Sequence, residues 1–160
     1  MRDIKLLCMD VDGTLTDGRI YVGETGEMFK AFDVKDGYAI CHILPDVNIT
    51  PIIITGRKSR LLERRCEELG IDLLYQGVSN KAELLGRIAS NLGVSLSEVA
   101  YIGDDLNDLP CMEAIANKGG TVGCPADACR EVLDVADYVS KRLGGQGAVR
   151  EFIEYLVSQN

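Results

Sequence analysis

The sequence predicts an α/β fold in which a doubly wound parallel sheet carries helices on both faces. Short apolar segments bounded by turn residues alternate with helical patterns along the chain, as in successive β-α-β units. The apolar segments run without interruption, which is typical of strands buried on both faces. A length of 160 residues suits one domain with a real core and is short for two. We therefore expect a single domain over residues 1–160.

The elements follow from apolar runs and from helix-ending residues. A helix is predicted from about Ser59 to Gly70 and another from about Ser79 to Leu92, because glycine at 70 and at 93 favours a helix stop. A Ser-x-x-Glu capping box at Ser95–Glu98 predicts a short helical turn. The predicted strands are residues 4–9, 49–54 and 99–102, with shorter strands at 73–75, 121–123 and 138–139.

One segment interrupts the alternation directly after the first strand. Residues 19–22 and 27–32 flank the sequence Gly23-Glu24-Thr25-Gly26, a pattern typical of a β-hairpin. A crossover helix would otherwise begin here. We therefore expect a hairpin insertion at about residues 18–33.

Composition narrows the class of protein. The apolar fraction of 46% is ordinary, and no apolar run approaches the ~20 residues that span a bilayer. Residues 1–5 are charged and lack a long apolar stretch, so no secretory signal or membrane association is expected and a cytoplasmic location is predicted. A net charge of −8 argues against a nucleic-acid partner. The six scattered cysteines are interpreted as reduced thiols, and the single histidine, His42, makes a histidine-rich metal site improbable.

Two acidic clusters follow predicted strands. Asp10 and Asp12 close the first strand, and Gly13 allows the turn that brings both carboxylates to one phosphoryl group. Alone, such a pair is more often structural. The sequence from Gly103 to Asp108 then places further acidic and amide side chains after another buried strand. Helix capping explains one or two of them, whereas the whole set requires a cation, and oxygen ligands favour Mg2+.

Two further candidate sites in the sequence are weaker. One lies at the end of a predicted strand and the other near the start of a predicted helix. Thr55 and Gly56 end a strong strand, where a hydroxyl and free amides can hold phosphate oxygens. Lys81 lies near a helix start, where a cation opposes the helix dipole and therefore suggests another role. Each alone is also compatible with a turn residue or a solvated surface charge.

Together these residues resemble the four motifs of the haloacid dehalogenase superfamily. The resemblance lies in Asp10-x-Asp12-x-Thr14, Thr55, Lys81 and Gly103-Asp104-Asp105-x-x-Asp108, in order along most of the chain. It implies a Rossmann-like sheet of order 3-2-1-4-5, with ligand binding at the topological switch point between the strands that end at Asp10 and Asp104.

The resemblance also implies roles for individual residues. Asp10 would attack phosphorus and form an aspartyl-phosphate, and Asp12 would serve as general acid and then general base. Thr55 and Lys81 would bind the phosphoryl oxygens. Mg2+ would be held by the Asp10 carboxylate, the Asp12 backbone carbonyl and Asp104. Asp105 and Asp108 would lie in or near the shell that surrounds these ligands.

The chain has no room for a cap domain, and further sequence features resemble a cap-less group that acts on 3-deoxy-D-manno-octulosonate 8-phosphate. These features include Asp36-Gly37, Thr55-Gly56-Arg57-Lys58, Tyr75-Gln76-Gly77 and the glycine-rich residues 144–151. The resemblance implies a magnesium-dependent phosphatase of lipopolysaccharide biosynthesis that assembles as a homotetramer through its hairpins. Glycines 144–147 could fold over a site or simply connect to the last helix. Substrate contacts are predicted for Arg57, Gly56, Lys58 and Arg65, with Arg57 favoured to grip a substrate carboxylate.

Three alternatives stay open at this point. The same chemistry could act on a nine-carbon acid 9-phosphate of the sialic acid or 2-keto-3-deoxynononate type. The phosphoryl group could pass to an acceptor other than water, although an uncapped site favours hydrolysis. The domain could also be a non-catalytic oligomerisation module, against which the intact acidic cluster argues.

Overall fold

A computed structural model describes residues 3–159 of the chain. Met1 and Arg2, which belong to the N-terminal stretch considered for a secretory signal, lie outside these residues. The strands are β1 (Leu6–Met9), β2 (Tyr21–Gly23), β3 (Gly26–Phe29), β4 (Thr50–Ile54), β5 (Leu73–Tyr75), β6 (Val99–Ile102), β7 (Thr121–Cys124) and β8 (Tyr138–Val139).

Six of these strands form one parallel sheet in the order β5-β4-β1-β6-β7-β8. Counted without the hairpin, this is the predicted order 3-2-1-4-5 with a sixth strand added at one edge, so the predicted fold class is confirmed. Strand β1 lies at the centre, where Cys8 is paired with Ile52 of β4 and with Tyr101 of β6. The carboxyl ends of β1, β4 and β6 therefore meet at one edge of the sheet.

The helices begin and end where the sequence provides caps. They are α1 (Val34–Tyr38), α2 (Leu44–Asp46), α3 (Arg60–Leu69), α4 (Lys81–Leu92), α5 (Leu109–Ala116), α6 (Arg130–Val135) and α7 (Ala148–Gln159), with a π-helical turn (Ala39–Ile43) joining α1 to α2 and a 3-10 turn (Leu96–Glu98) before β6. Ser59 caps α3 by accepting the backbone N–H of Leu62, and Gly70 ends it in the left-handed conformation. Helix α4 starts at Lys81, two residues later than predicted, because Asn80 is the residue whose side chain accepts the N–H of Glu83.

The predicted hairpin is present as a separate two-stranded antiparallel sheet of β2 and β3. It is shorter than the sequence predicts. Pairing ends at Tyr21 and Phe29, beside a register shift between Tyr21 and Val22, and the rings of Tyr21 and Phe29 stack with centroids 4.2 Å apart. Val22 and Met28 keep 69% and 62% of their surface exposed, so the hairpin carries apolar side chains on its outside.

Two apolar clusters fill the space on either side of the parallel sheet. Alternate residues of β1 belong to opposite clusters, with Leu7 and Met9 in one and Leu6 and Cys8 in the other. The six cysteines, all within the described residues, are free thiols. No inserted cap domain accompanies this sheet in residues 3–159, and none of the helices there is long and apolar enough to cross a bilayer.

Candidate active site

The polar residues that the sequence placed after separate strands converge at the carboxyl edge of the sheet. Asp10 follows β1 directly, Thr55 follows β4 directly, Asp104 lies two residues after β6, and Lys81 is the first residue of α4. A cleft of about 400 Å³ opens at this edge. Its lining consists of Asp10, Asp12, Thr55, Gly56, Arg57, Asp105, Leu106 and Asn107. The topology therefore gathers the predicted residues around one open cleft.

Lys81 links two buried carboxylates. Its Nζ lies 2.7 Å from Oδ1 of Asp10 and 2.7 Å from Oδ1 of Asp108, and only 3% of the lysine side chain is exposed. Both carboxylates are almost fully buried. They hold the pKa of Lys81 above its ordinary value despite the opposing effect of burial. Lys81 is thus a charged donor fixed beside the nucleophile candidate.

Asp108 accepts four hydrogen bonds. Besides Lys81, its Oδ1 accepts the hydroxyl of Tyr101 at 2.7 Å, and its Oδ2 accepts the backbone N–H groups of Asp104 at 3.0 Å and of Asp105 at 3.3 Å. Four donors fill the lone-pair directions of a carboxylate. Asp108 therefore shapes the loop that carries Asp104, and its predicted place near a bound metal stays a prediction. Sequence reasoning missed Tyr101, which looks like an ordinary core residue of a buried strand.

Asp10 and Asp104 keep free acceptor capacity. Asp10 accepts Lys81 and the backbone N–H of Val11, and Asp104 accepts the hydroxyl of Thr14 at 2.8 Å. Burial and the neighbouring carboxylates raise the pKa of Asp10 to about 6 and that of Asp104 to about 8. Both carboxyl groups would therefore be stabilised in their charged form by a further positive charge at this position.

The turn after β1 is shaped for this contact. Gly13 has a φ of +98°, and a Cβ atom at this position would lie 2.0 Å from Oδ2 of Asp104. Gly144 and Gly145 pack against the same turn, where Gly145 donates its N–H to the carbonyl of Thr14 at 3.0 Å. A Cβ on Gly144 would lie 1.8 Å from the carbonyl oxygen of Gly13. The glycine-rich segment thus packs onto the turn after β1 of its own chain and leads into α7, and whether it also folds over a site stays a prediction.

The donor set fits Mg2+. One oxygen from each of Asp10, Asp104 and Asp108 lies within 4.8 Å of the others. Because Asp108 is saturated with hydrogen bonds, Asp10 and Asp104 are the carboxylates able to bind a cation. Two carboxylates with remaining positions for water and phosphate are the usual protein ligands of Mg2+. The raised pKa values of both groups fit the same role. Binding of Mg2+ by the backbone carbonyl of Asp12 stays a prediction.

Each carboxylate oxygen of Asp12 has a different cation near it. Nζ of Lys30 lies 2.5 Å from Oδ1, and Nε of Arg57 lies 3.9 Å from Oδ2. Sequence reasoning missed Lys30, since a lysine at the end of a hairpin strand carries no signal of a long-range contact. Lys30 also pairs with Glu27 at 3.0 Å, and Glu27 accepts a hydrogen bond from the hydroxyl of Ser59. The hairpin is therefore tied to the active site.

Two of the four predicted substrate-binding residues line the cleft and two do not. Gly56 and Arg57 line the cleft. Lys58 is not among the lining residues, and its aliphatic chain lies against Gly77, where an added Cβ would be 2.5 Å from Cε of Lys58. Arg65 stacks over the ring of Phe32, with 5.7 Å between guanidinium and centroid, and pairs with Glu68. Within this chain, Lys58 and Arg65 therefore lie outside the cleft.

Comparison with known proteins identifies the family. The family model of haloacid dehalogenase-like hydrolases matches residues 27–115. The 3-deoxy-D-manno-octulosonate 8-phosphate phosphatase of Escherichia coli (strain K12) is 47% identical over 156 residues, which cover 97% of this chain and 80% of that protein. The same enzyme of Salmonella typhi is 48% identical over 155 residues, with the same shares covered.

Solved structures agree with this result. The Yersinia pestis phosphatase of the same name superposes with a TM-score of 0.90 at 44% identity, covering 98% of this chain and 82% of that chain. The Moraxella catarrhalis phosphatase, solved in complex with magnesium ion, phosphate ion and KDO molecule, has a TM-score of 0.90 at 40% identity, covering 98% and 87%.

The chain belongs to the haloacid dehalogenase-like hydrolase family. Within it, the chain is a phosphatase of phosphoric monoesters with no cap domain in residues 3–159, similar over nearly its whole length to the 3-deoxy-D-manno-octulosonate 8-phosphate phosphatases, and Mg2+ is the cofactor that its donor set fits.

Proposed function

We propose that this phosphatase releases inorganic phosphate from 3-deoxy-D-manno-octulosonate 8-phosphate. The observation that carries the proposal is the group formed by Asp10, Lys81 and Asp104 beside an open cleft, in a chain 47% identical to a phosphatase named for this substrate. The product, a free sugar acid, would supply the synthesis of lipopolysaccharide or a related cell-surface polysaccharide.

In the first step, a carboxylate oxygen of Asp10 attacks phosphorus opposite the ester oxygen. The bond between phosphorus and the ester oxygen breaks, and that oxygen takes a proton from Asp12 as the alcohol leaves. Asp10 then carries the phosphoryl group as an acyl phosphate, and Asp12 is left as a carboxylate. The Lys81 ammonium, 2.7 Å from Asp10, lies where it can stabilise the oxygens of the group in transfer.

In the second step, Asp12 removes a proton from a water molecule while the water oxygen attacks phosphorus. The bond between Asp10 and phosphorus breaks, inorganic phosphate leaves, and both aspartates return to their starting states. When bound, Mg2+ neutralises negative charge on the phosphate and on the carboxylates around it. Asp10 and Asp104 would hold it, together with the Asp12 carbonyl, and Thr55 would position a phosphoryl oxygen from its place at the end of β4.

Arg57 is proposed to recognise the carboxylate of the sugar acid. Half of its side chain is exposed, and it lines the cleft beside Gly56. A guanidinium can form two parallel hydrogen bonds to a carboxylate, which distinguishes a sugar acid from a neutral sugar phosphate. Lys58 and Arg65 would contribute only from outside the cleft as it is formed by one chain.

A homotetramer assembled through the hairpins is also proposed. Val22, Met28 and Phe29 keep 69%, 62% and 49% of their surface exposed on a two-stranded sheet that packs poorly alone. Association of hairpins would cover these side chains. Light scattering on the Val22→Asp/Met28→Asp variant tests this: the proposal expects a smaller particle than the wild type, and an unchanged mass contradicts it.

The substrate proposal is tested by phosphate release under matched conditions. The assay compares 3-deoxy-D-manno-octulosonate 8-phosphate with nine-carbon acid 9-phosphates, each in Mg2+ and in EDTA, using the wild type and Asp10→Asn. The expected result is a magnesium-dependent preference for the eight-carbon substrate and no turnover by the variant. Preference for a nine-carbon acid would overturn the substrate assignment and keep the chemistry. Phosphate release from none of them would favour the non-catalytic module.

A further inference from the structure

We propose that Lys30 is the positioning residue for Asp12 and that it ties the β-hairpin to the proton-transfer step. This inference rests on the proposed role of Asp12 as general acid and base. Lys30 follows β3 at the end of the hairpin, yet only 2% of its side chain is exposed, because the side chain turns inward to the catalytic aspartate.

Burial of Lys30 needs an explanation. An ammonium removed from water loses hydration free energy, which a structural ion pair rarely recovers in full. Lys30 is compensated by two carboxylates, with Nζ 2.5 Å from Oδ1 of Asp12 and 3.0 Å from Oε1 of Glu27. Glu27 is fixed in turn by the Ser59 hydroxyl at the N-terminus of α3. Glu27 therefore holds the Lys30 ammonium in place, and the ammonium in turn donates a hydrogen bond to Asp12.

The contact divides the two oxygens of Asp12 between two tasks. Oδ1 accepts Lys30, and an oxygen of a carboxyl group can accept this hydrogen bond whether or not the other oxygen carries a proton. Oδ2 lies 3.9 Å from Nε of Arg57, which is beyond hydrogen-bonding distance. Oδ2 is thus the oxygen that gives the proton to the departing alkoxide and later takes one from water, while Lys30 fixes the direction in which it points.

Through these contacts, the position of the hairpin affects the orientation of Asp12 and therefore proton transfer. Lys30 and Glu27 both belong to the hairpin segment, and their partners Asp12 and Ser59 belong to the loop after β1 and to the start of α3. A displacement of the hairpin would withdraw Lys30 and release Asp12 from its orientation. The position of this insertion therefore controls proton transfer, although none of its residues lines the cleft.

The test uses a property that a purely structural role would not change. An aryl phosphate such as p-nitrophenyl phosphate has a good leaving group, so its hydrolysis needs little help from a general acid. The sugar phosphate 3-deoxy-D-manno-octulosonate 8-phosphate has a poor leaving group, so its hydrolysis does need a general acid. Rapid-quench measurements of the first turnover are made with both substrates on the wild type, Lys30→Met, Glu27→Gln and Asp12→Asn. Lys118→Met, which changes an exposed lysine, is the matched control. Thermal unfolding verifies that each variant is folded.

We expect Lys30→Met to slow the first turnover of the sugar phosphate by about 10–100-fold. This is less than the whole contribution of a general acid, because Asp12 is still present and only its orientation is lost. The burst of p-nitrophenol should stay within about threefold of the wild type. Glu27→Gln removes the anchor but keeps the lysine, so it should show the same pattern with a smaller loss, on the order of several-fold. Lys118→Met should behave as the wild type.

Two results would overturn the inference. They are an equal loss with both substrates, which is the mark of a structural defect, and no loss with either. If Lys30→Met fails to fold, Glu27→Gln decides by the same criterion. The Asp12→Asn variant distinguishes a wrong role for Lys30 from a wrong role for Asp12. Loss of the sugar phosphate reaction alone supports Asp12 as the acid, whereas equal effects on both substrates would remove the mechanism on which the role of Lys30 depends.

Discussion

Replacement of Lys81 by methionine tests the electrostatic basis of the site. The substitution keeps the length of the side chain and removes its charge. Asp10, Asp104 and Asp108 would then share a buried space in which their oxygens lie within 4.8 Å of one another, with no cation in contact. Removing one partner of a buried ion pair costs about 3–5 kcal/mol of unfolding free energy.

The magnitude and the pH dependence can both be stated for the metal-free protein. A loss of about 3–5 kcal/mol lowers the melting temperature of a chain of this size by roughly 6–20 °C. The pKa values of Asp10 and Asp104 are already raised to about 6 and about 8, and removal of Lys81 raises that of Asp10 further. A carboxyl whose pKa is raised in the folded state stabilises the protein below its unfolded pKa and loses this effect as the pH rises through its folded pKa. The cost should therefore be smaller at pH 5 than at pH 8, and it should still increase above pH 8 because the pKa of Asp104 is about 8.

The assay is thermal and urea unfolding in EDTA at pH 5 and at pH 8, with Lys118→Met as the control for loss of an exposed lysine. Added Mg2+ should restore part of the lost stability at pH 8, and turnover should be lost in either case. If Lys81→Met at pH 8 in EDTA were as stable as the wild type, or if the loss of stability were larger at pH 5, Lys81 would not be the cation that stabilises these carboxylates.

Three further predictions concern the proposed metal ligands and the residues that contact them. Because the pKa of Asp104 is raised to about 8 without metal, Mg2+ binding should release about one proton at pH 6.5 and almost none at pH 9, measured by calorimetry in two buffers of different ionisation enthalpy; equal release at both pH values would contradict it. Tyr101→Phe removes the hydroxyl that Asp108 accepts at 2.7 Å, and it should cost about 1–3 kcal/mol in urea unfolding, with no change expected if the bond contributes nothing. Gly13→Ala would place a Cβ 2.0 Å from Oδ2 of Asp104, so calorimetry should detect no Mg2+ binding to a folded variant, and normal affinity would disprove this role of the glycine.

The strand ends explain why the sequence predicted most of the site. The topology of a parallel sheet brings the ends of β1, β4 and β6 to one edge, so Asp10, Thr55 and Asp104 had to be neighbours once the strands were located. Capping residues located α3 and α4 within two residues, which placed Lys81 at the start of α4. Local patterns were therefore sufficient for this part of the site.

Contacts that depend on tertiary packing were not visible in the sequence. Lys30 reaches Asp12 only through the tertiary packing of the hairpin, and no local sequence pattern predicts this contact between residues 18 positions apart. Tyr101 looks like any aromatic residue of a buried strand until Asp108 is placed beneath its hydroxyl. Arg65 looks like a candidate for substrate binding, yet its guanidinium stacks on Phe32 in this chain.

The most direct test of the proposed covalent mechanism is detection of a phosphoryl group on Asp10. The Asp12→Asn variant is mixed with Mg2+ and p-nitrophenyl phosphate, quenched in acid within the first turnover, and mapped by peptide mass spectrometry. The proposed mechanism predicts close to one phosphoryl group per chain, on the peptide that contains Asp10, and none in Asp10→Asn. Release of p-nitrophenol without a phosphorylated Asp10, or with the phosphoryl group on another residue, would contradict the proposed mechanism.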